Sequence, residues 1–367
     1  MRKAGIKTQS LWSDHMPGSV YYYPSMAANA TPIKEQIFGE AFINGAYHAF
    51  SPQKIRQALQ KIGTKADITN LLKKDIAEFI KKYAIDMTDY AHEEPSYYKN
   101  FDEFFYRPLK AGVRKIDIRS TVVCSPADCK LRALQNITSS SKFFIKQKPF
   151  NLVQFLNSQE LADRYQRGSL LVFRLAPTDY HRFHFPFDCV PSKPEIISGE
   201  YETVNPIAFR AGLWPISINK RARISLESPE FGRVIMIVVG ASMVGSLNFT
   251  YEPQKSVKKG SEAGYFAFGG STVCLLFAHG TINLPDILIQ RSTNVKTGQK
   301  SNKKTAGYEK EMAFESAVRV GQGVAMKAGS TTINLLSSPA YVLFLNKTNR
   351  ATHLDLPETA IDFIFNI

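Results

Sequence analysis

Apolar positions recur at helical spacing early in the chain and at strand spacing afterwards. From about residue 32 to about residue 85 the pattern is helical. Ser51 before Pro52 reads as a cap and first-turn pair. Ile68, Leu71, Leu72, Ile76, Phe79, Ile80 and Tyr83 then fall on one stripe. Lys73, Lys74, Lys81 and Lys82 lie off it, so this helix reads either as a layer on the core or as one resting on a membrane surface. After Phe101-Asp-Glu-Phe-Phe-Tyr-Arg-Pro-Leu109 the character changes to short β-type runs between turn residues. These are Thr121 to Cys124, Leu131 to Leu134, Lys142 to Lys146, Ser169 to Leu175, Arg223 to Leu226, Arg233 to Val239, Ser242 to Phe249 and Ser271 to Phe277. An amphipathic piece, Leu152 to Tyr165, interrupts them as a helix. Helices first and strands afterwards predict an α+β fold, with an N-terminal helical layer packed on a mostly antiparallel β-sheet core.

The flanks lack such periodicity. Residues 1–31 read as an N-terminal arm, residues 32–327 as the body, and residues 328–367 as a C-terminal extension with two apolar runs, Tyr341 to Leu345 and Ala360 to Ile367. The basic stretch from Arg291 through Lys296, Lys300, Lys303 and Lys304 to Lys310 reads as an exposed loop, or as a contact for anionic headgroups. No apolar run approaches the roughly 20 residues that span a bilayer, so a soluble or peripheral protein is expected. The net charge of +14 over 367 residues points to an anionic partner. A nucleic-acid binder lacks any recognisable motif, which leaves an anionic membrane or an acidic substrate. Cys124, Cys129, Cys189 and Cys274 form no CxxC pair and read as buried free thiols.

Candidate chemistry gathers at five places. Gly269-Gly270-Ser271-Thr272 lies between two strand-like runs. Glycine allows close approach to a backbone carbonyl, and serine offers a hydroxyl that a base can turn into a nucleophile; a Gly-Gly-Ser hairpin turn is the bland alternative. Asp128 follows a Ser-Pro turn, and His181 and His184 lie beside Asp179 and Arg182. The other two are Gly199-Glu-Tyr-Glu-Thr-Val-Asn-Pro206 and Val239-Gly-Ala-Ser-Met-Val-Gly-Ser246. Zinc needs a third or fourth ligand beyond the two histidines, and the cysteines are poorly spaced to supply it, so no metal is expected. An aspartate that fixes a histidine tautomer suits proton transfer, which makes Asp128, His184 and Ser271 a candidate relay.

These motifs, in this order, resemble the phosphatidylserine decarboxylase family. The likeness runs from about Tyr21 to about Ala325. It includes Phe101 to Leu109, Ser125-Pro-Ala-Asp128, Asp179-Tyr-His-Arg182 with His184, Val204-Asn-Pro206, Val239-Gly-Ala241 and Gly264-Tyr-Phe-Ala-Phe-Gly-Gly-Ser-Thr272, the last matching the Gly-Gly-Ser-Ser/Thr branch. The resemblance implies a self-processing proenzyme in which Asp128 and His184 activate Ser271 to attack the Gly270 carbonyl. Cleavage would give a β chain, residues 1–270, and an α chain, residues 271–367, headed by a pyruvoyl group made from Ser271. That group would take up the amine of phosphatidylserine and accept the electron pair as CO₂ leaves, with His181 or His184 as proton donor. The product would be phosphatidylethanolamine. The expected partners are phosphatidylserine, an anionic membrane surface that holds the enzyme peripherally, and the other chain of the same proenzyme; a homodimer is a candidate assembly.

Other readings stay open: a pyruvoyl-dependent carboxy-lyase for a free amino acid, and a non-catalytic lipid-binding homologue. Where the family has glycine after the aspartate, this chain has Cys129. That turn must therefore accept a side chain, which requires a negative φ at Cys129.

Overall fold

The computed structural model of the protein describes residues 76–138, 151–176, 178–200, 215–240, 247–267, 271–292 and 315–330. The N-terminal arm, the helix opened by Ser51, the strand Lys142 to Lys146, most of the basic loop and the C-terminal apolar runs lie outside the described residues.

The N-terminal part is helical: α1 (Ile76–Lys82), two single 3₁₀ turns (Met87–Asp89 and Pro95–Tyr97) and α2 (Phe101–Phe105). Ile76, Tyr98, Phe101, Phe104 and Phe105 pack together there, with Phe79 meeting Phe101 edge to face. The Asn100 side chain accepts from Glu103 N and starts α2.

Strands follow. β1 (Val122–Cys124) and β2 (Cys129–Leu134) precede α3 (Leu152–Leu156) and α4 (Gln159–Arg164). Next come β3 (Ser169–Leu175), β4 (Arg182–His184), β5 (Val190–Pro191), β6 (Glu195–Ile197), α5 (Pro215–Ile218), β7 (Arg221–Ser228), β8 (Gly232–Gly240), β9 (Leu247–Phe249) and β10 (Glu262–Phe266). The last are β11 (Ser271–Phe277), β12 (Ile282–Asn283), α6 (Asp286–Ser292), β13 (Ser316–Val318) and β14 (Gly323–Lys327). The expected α+β fold with an antiparallel sheet core is what the chain adopts. The single expected helix over Leu152 to Tyr165 is two helices. Asn157 takes a left-handed conformation (φ 51°), which asparagine tolerates, and Ser158 then caps the second helix by accepting from Leu161 N.

The main sheet runs β13-β2-β3-β11-β8-β7-β5, with β6 also on β7, and every pairing is antiparallel. β11 is central and buried along its whole length, with β3 on one side from Ser271↔Leu175 to Phe277↔Ser169 and β8 on the other. Successive side chains of a strand point to opposite faces. Val273, Leu275 and Phe277 accordingly enter one core with Leu175, Phe183, Phe185 and Phe266. Cys274 and Leu276 enter a second core, under α3 and α4. Each large apolar side chain so buried is worth about 1.5–3 kcal/mol relative to exposure.

Two three-stranded sheets, β4-β10-β9 and β1-β14-β12, complete the strand framework among the described residues. β10 lies close to β9. A Cβ on Gly264 would sit 2.1 Å from the Asn248 carbonyl oxygen and 2.8 Å from the Phe183 ring. Gly264→Ala is therefore expected to destabilise the fold by about 1–3 kcal/mol or more, read as a lower midpoint in urea. An unchanged midpoint would mean that the two strands do not pair this closely.

Candidate active site

Ser271 opens the central strand. It pairs with Leu175 on one side and Gly240 on the other, and alternation puts it on the face of Val273, Leu275 and Phe277. It is wholly buried, and among the described residues its Oγ has no hydrogen-bond partner. Thr272 Oγ1, on the opposite face, is also buried and unpartnered. Leaving a buried hydroxyl unpaired costs about 1–3 kcal/mol, so each orphan calls for an explanation.

The two histidines come from β4 and the residue before it. Arg182 pairs with Tyr265, and Phe266 N donates to the His181 carbonyl (2.9 Å), which extends the ladder by one residue. His181 therefore shares the face of Phe183 and Phe185, which point into the core that holds Val273 and Leu175, whereas His184 shares the opposite face with Arg182.

His181 is wholly buried, its ring stacked on Phe105 at 3.6 Å between centroids. Its Nδ1 lies 2.8 Å from the Asp179 carbonyl oxygen. A carbonyl can only accept, so Nδ1 carries the proton and Nε2 the lone pair. That Nε2 is buried with no partner among the described residues. His184 Nδ1 likewise donates to the Gly260 carbonyl (2.9 Å), but its Nε2 receives the Tyr180 hydroxyl (3.0 Å). Burial holds both rings below the usual histidine range. At His181 the nearby Arg107 and Lys130 charges deepen the effect, while at His184 the Gly260 carbonyl and the Glu262 and Asp128 charges oppose it.

Asp128 ends the Ser125-Pro-Ala turn, in which Ser125 Oγ donates to the Ala127 carbonyl (2.7 Å). Arg114 holds its carboxylate through Nε (3.1 and 3.0 Å) and Nη2 (2.5 Å), and Val320 N donates to Oδ1 (2.9 Å). Arg114 also reaches Asp89 (2.7 Å), which in turn accepts from Arg319 (3.0 Å). Burial works to raise the Asp128 pKa, but the Arg114 charge and hydrogen bonds, helped by Arg319 and Val320 N–H, prevail and hold it below the usual carboxylate range. Asp179 is paired with the buried Lys130 (2.7 Å) and accepts from Ala176 N (2.8 Å).

The three members of the expected relay each have other surroundings. Among the described residues no hydrogen bond joins Asp128, His184 and Ser271 to one another. Gly270 and the two residues before it lie outside the described residues. Cys129 begins β2, is buried beside Ser125, and is not among the residues with positive φ, so the side chain is accommodated without strain. Arg114, Lys130 and Tyr180 carry much of the geometry and were not singled out by sequence. Their partners are 14, 49 and 4 residues away, and only the Tyr180 contact lies within a local motif.

A family model described as phosphatidylserine decarboxylase matches residues 101–302, a span that takes in α2, Asp128, both histidines and Ser271. The chain belongs to the phosphatidylserine decarboxylase family. It is 42% identical over 222 residues to the phosphatidylserine decarboxylase proenzyme of Fusobacterium nucleatum, covering 60% of this chain and 74% of that one. With the phosphatidylserine decarboxylase proenzyme of Clostridium kluyveri it shares 34% over 299 residues, 80% of this chain and 95% of the relative. With phosphatidylserine decarboxylase proenzyme 2 of Komagataella phaffii it shares 40% over 251 residues, 66% of this chain but 25% of that longer protein.

The two depressed histidines give this member of the family a signed pH dependence. Unfolded histidines take up protons near pH 6.5 while the folded ones resist, so protons favour the unfolded chain and stability is lost as pH falls from that value. Asp128, also depressed, adds a further loss below its ordinary value of 3.8. Urea unfolding from about pH 7 to about pH 5 is expected to show falling stability. A flat profile would mean that the rings are not held neutral.

Proposed function

We propose that the protein is a proenzyme that cuts itself between residues 270 and 271 and, once cut, is a carboxy-lyase that converts phosphatidylserine to phosphatidylethanolamine and CO₂. One observation carries the reading: among the described residues Ser271 Oγ is wholly buried and unpartnered at the head of the central strand, on the face whose Val273 shares a core with Phe183 of β4.

A neutral histidine serves as general base. It takes the proton of Ser271 Oγ as that oxygen attacks the carbonyl carbon of Gly270. The C–N bond breaks, the nitrogen of residue 271 gains a proton, and the acyl group rests on oxygen as an ester. Loss of the 271 α-proton to a base expels the carboxylate of residue 270 as the Cβ–O bond breaks. Addition of water and departure of ammonia leave a ketone at the head of the α chain.

The site suits that group: the precursor side chain is buried and makes no hydrogen bond among the described residues that cleavage would have to break, and the residue paired with it on β8 is Gly240, which has no side chain to crowd it. A pyruvoyl group there would supply an electron sink for the bond to CO₂. His181 and His184, both with the lone pair on Nε2, move the protons.

The family resemblance gives cleavage to His184, whose Nε2 the Tyr180 hydroxyl must then yield. The open Nε2 of His181 favours the reverse assignment as a second reading. Intact mass and turnover of three variants separate them. Ser271→Ala is expected to remain one chain of 41.2 kDa with no activity. His184→Ala is expected to remain uncut, and His181→Ala to be cut but to turn over roughly a hundredfold more slowly. A cut His184→Ala beside an uncut His181→Ala would reverse the roles, and an active Ser271→Ala would end the proposal.

We also place the enzyme peripherally on an anionic membrane, a reading supported by the charge of +14. Binding to vesicles containing phosphatidylserine is expected to weaken as salt rises through about 0.1 to 1 M. Failure to sediment with such vesicles at low salt would instead favour a free amino acid as substrate.

A further inference from the structure

Three consecutive residues at the end of α2 grip the segment that carries His181. The Phe105 ring stacks on the His181 imidazole, the Tyr106 carbonyl accepts from Arg182 Nε (2.8 Å), and Arg107 Nη2 donates to the Thr178 carbonyl (2.9 Å). Arg107 is wholly buried. Its other hydrogen bonds go to the Tyr90 hydroxyl (2.9 Å) and the Phe104 carbonyl (3.2 Å), and its guanidinium lies over the Tyr90 and Phe104 rings at 4.2 and 4.6 Å. No carboxylate is among these partners. A desolvated guanidinium without a counter-ion among the described residues is a costly way to hold a fold together, so its value lies in what its charge and its fork do to the neighbouring segment.

We propose that Arg107 is a positioning residue of the reaction centre: by holding the Thr178 carbonyl it sets the 178–181 turn so that the Asp179 carbonyl meets His181 Nδ1 and the lone pair stays on Nε2. The inference rests on the proposed reaction only for its consequence on rate; the ring geometry is independent of it. Arg107 does not touch the reacting atoms. Among the described residues the charged and polar groups that act on His181 are Arg107, Lys130 on β2 with its partner Asp179, and the Asp179 carbonyl. Both cations disfavour a charged imidazole. Removing one of them lets the ring protonate at higher pH.

The test uses the full chain in two forms, each with Arg107→Lys and Arg107→Met. In the Ser271→Ala background, NMR of ¹⁵N-labelled histidine reads the tautomer and titration of His181 without any need for activity. The Nδ1–H tautomer is expected with arginine. Arg107→Met is expected to titrate at higher pH and to mix tautomers, while Arg107→Lys, which keeps the charge but loses the fork, is expected to titrate as the parent does yet mix tautomers. In the active form, Arg107→Lys is expected to lower kcat on phosphatidylserine vesicles roughly tenfold with KM unchanged, and Arg107→Met is expected to move the acid limb of the kcat profile to higher pH. His181 signals identical to the parent in both variants would overturn the inference. Should Arg107→Met fail to fold by circular dichroism, Arg107→Lys decides alone, and a single parent-like tautomer there is the contrary result. If instead the unsubstituted enzyme fails to decarboxylate phosphatidylserine, the proposed reaction is what falls, and the NMR result still decides the role of Arg107.

Discussion

The hydrogen-bonded ladder on both sides of β11 is the constraint on which the rest depends. Ser271 is its first residue, so a backbone break immediately before it leaves every pair from Thr272↔Arg174 to Phe277↔Ser169, and those with β8 from Thr272↔Val239 onward, intact. The chain beyond that point also supplies β13 to the main sheet and β12 and β14 to another, with β14 against β1. Two polypeptides so interleaved share their cores, and separating them would expose the apolar face of the central strand. Burial and pairing can hold the two products together as the peptide bond once did. The proposed scissile bond lies at a strand end rather than mid-strand, which spares the sheet beyond it.

Ionic groups are placed with equal economy. Asp128 could not stay charged in its buried position without compensation; Arg114 supplies it, and Asp89 in turn neutralises Arg114 and takes a hydrogen bond from Arg319. Removing one partner of such a buried pair typically costs about 3–5 kcal/mol, because the other is left uncompensated. The cluster also spans the proposed cut. Arg114 and Asp128 lie before residue 270, Arg319 and Val320 after it, and Val320 N–H binds the same carboxylate that Arg114 orients. The aspartate therefore fastens the later segment to the earlier one, whatever further part it takes in proton transfer.

Local pattern made some of this legible and physics hid the rest. Ser169 to Leu175 and Ser271 to Phe277 could be read at their true ends because a fully buried strand is a continuous apolar run between turn residues. Arg221–Ser228 and Gly232–Gly240 extend beyond the expected Arg223 to Leu226 and Arg233 to Val239, since ladder pairing carries polar Arg221 and Ser228 into the sheet. The break at Asn157 is a single left-handed residue inside an otherwise helical pattern, invisible to periodicity. Asp128, His181, His184 and Ser271 stood out as chemistry-bearing types in motifs. Lys130 and Arg114 did not, because a charged residue in a sequence is normally a solvated one, and only the fold brings their partners within reach.

The spacing of the two histidines acquires its meaning only from the element that carries it. Three residues apart on a helix, they would share a face and suggest a common ligand or a joint action. On the extended segment that leads into β4 the same spacing sends them to opposite sides: His181 to the side of Phe183, against Phe105, and His184 to Tyr180 and Gly260. Both rings are fixed as the same tautomer by a backbone carbonyl, yet among the described residues one Nε2 is open and the other is capped by a hydroxyl. Two bases of one tautomer on two faces of one strand cannot meet the same atom from the same direction. In the proposed reaction, which first breaks the protein's own backbone and then turns over a substrate, the two proton-transfer tasks would fall to two histidines with different partners.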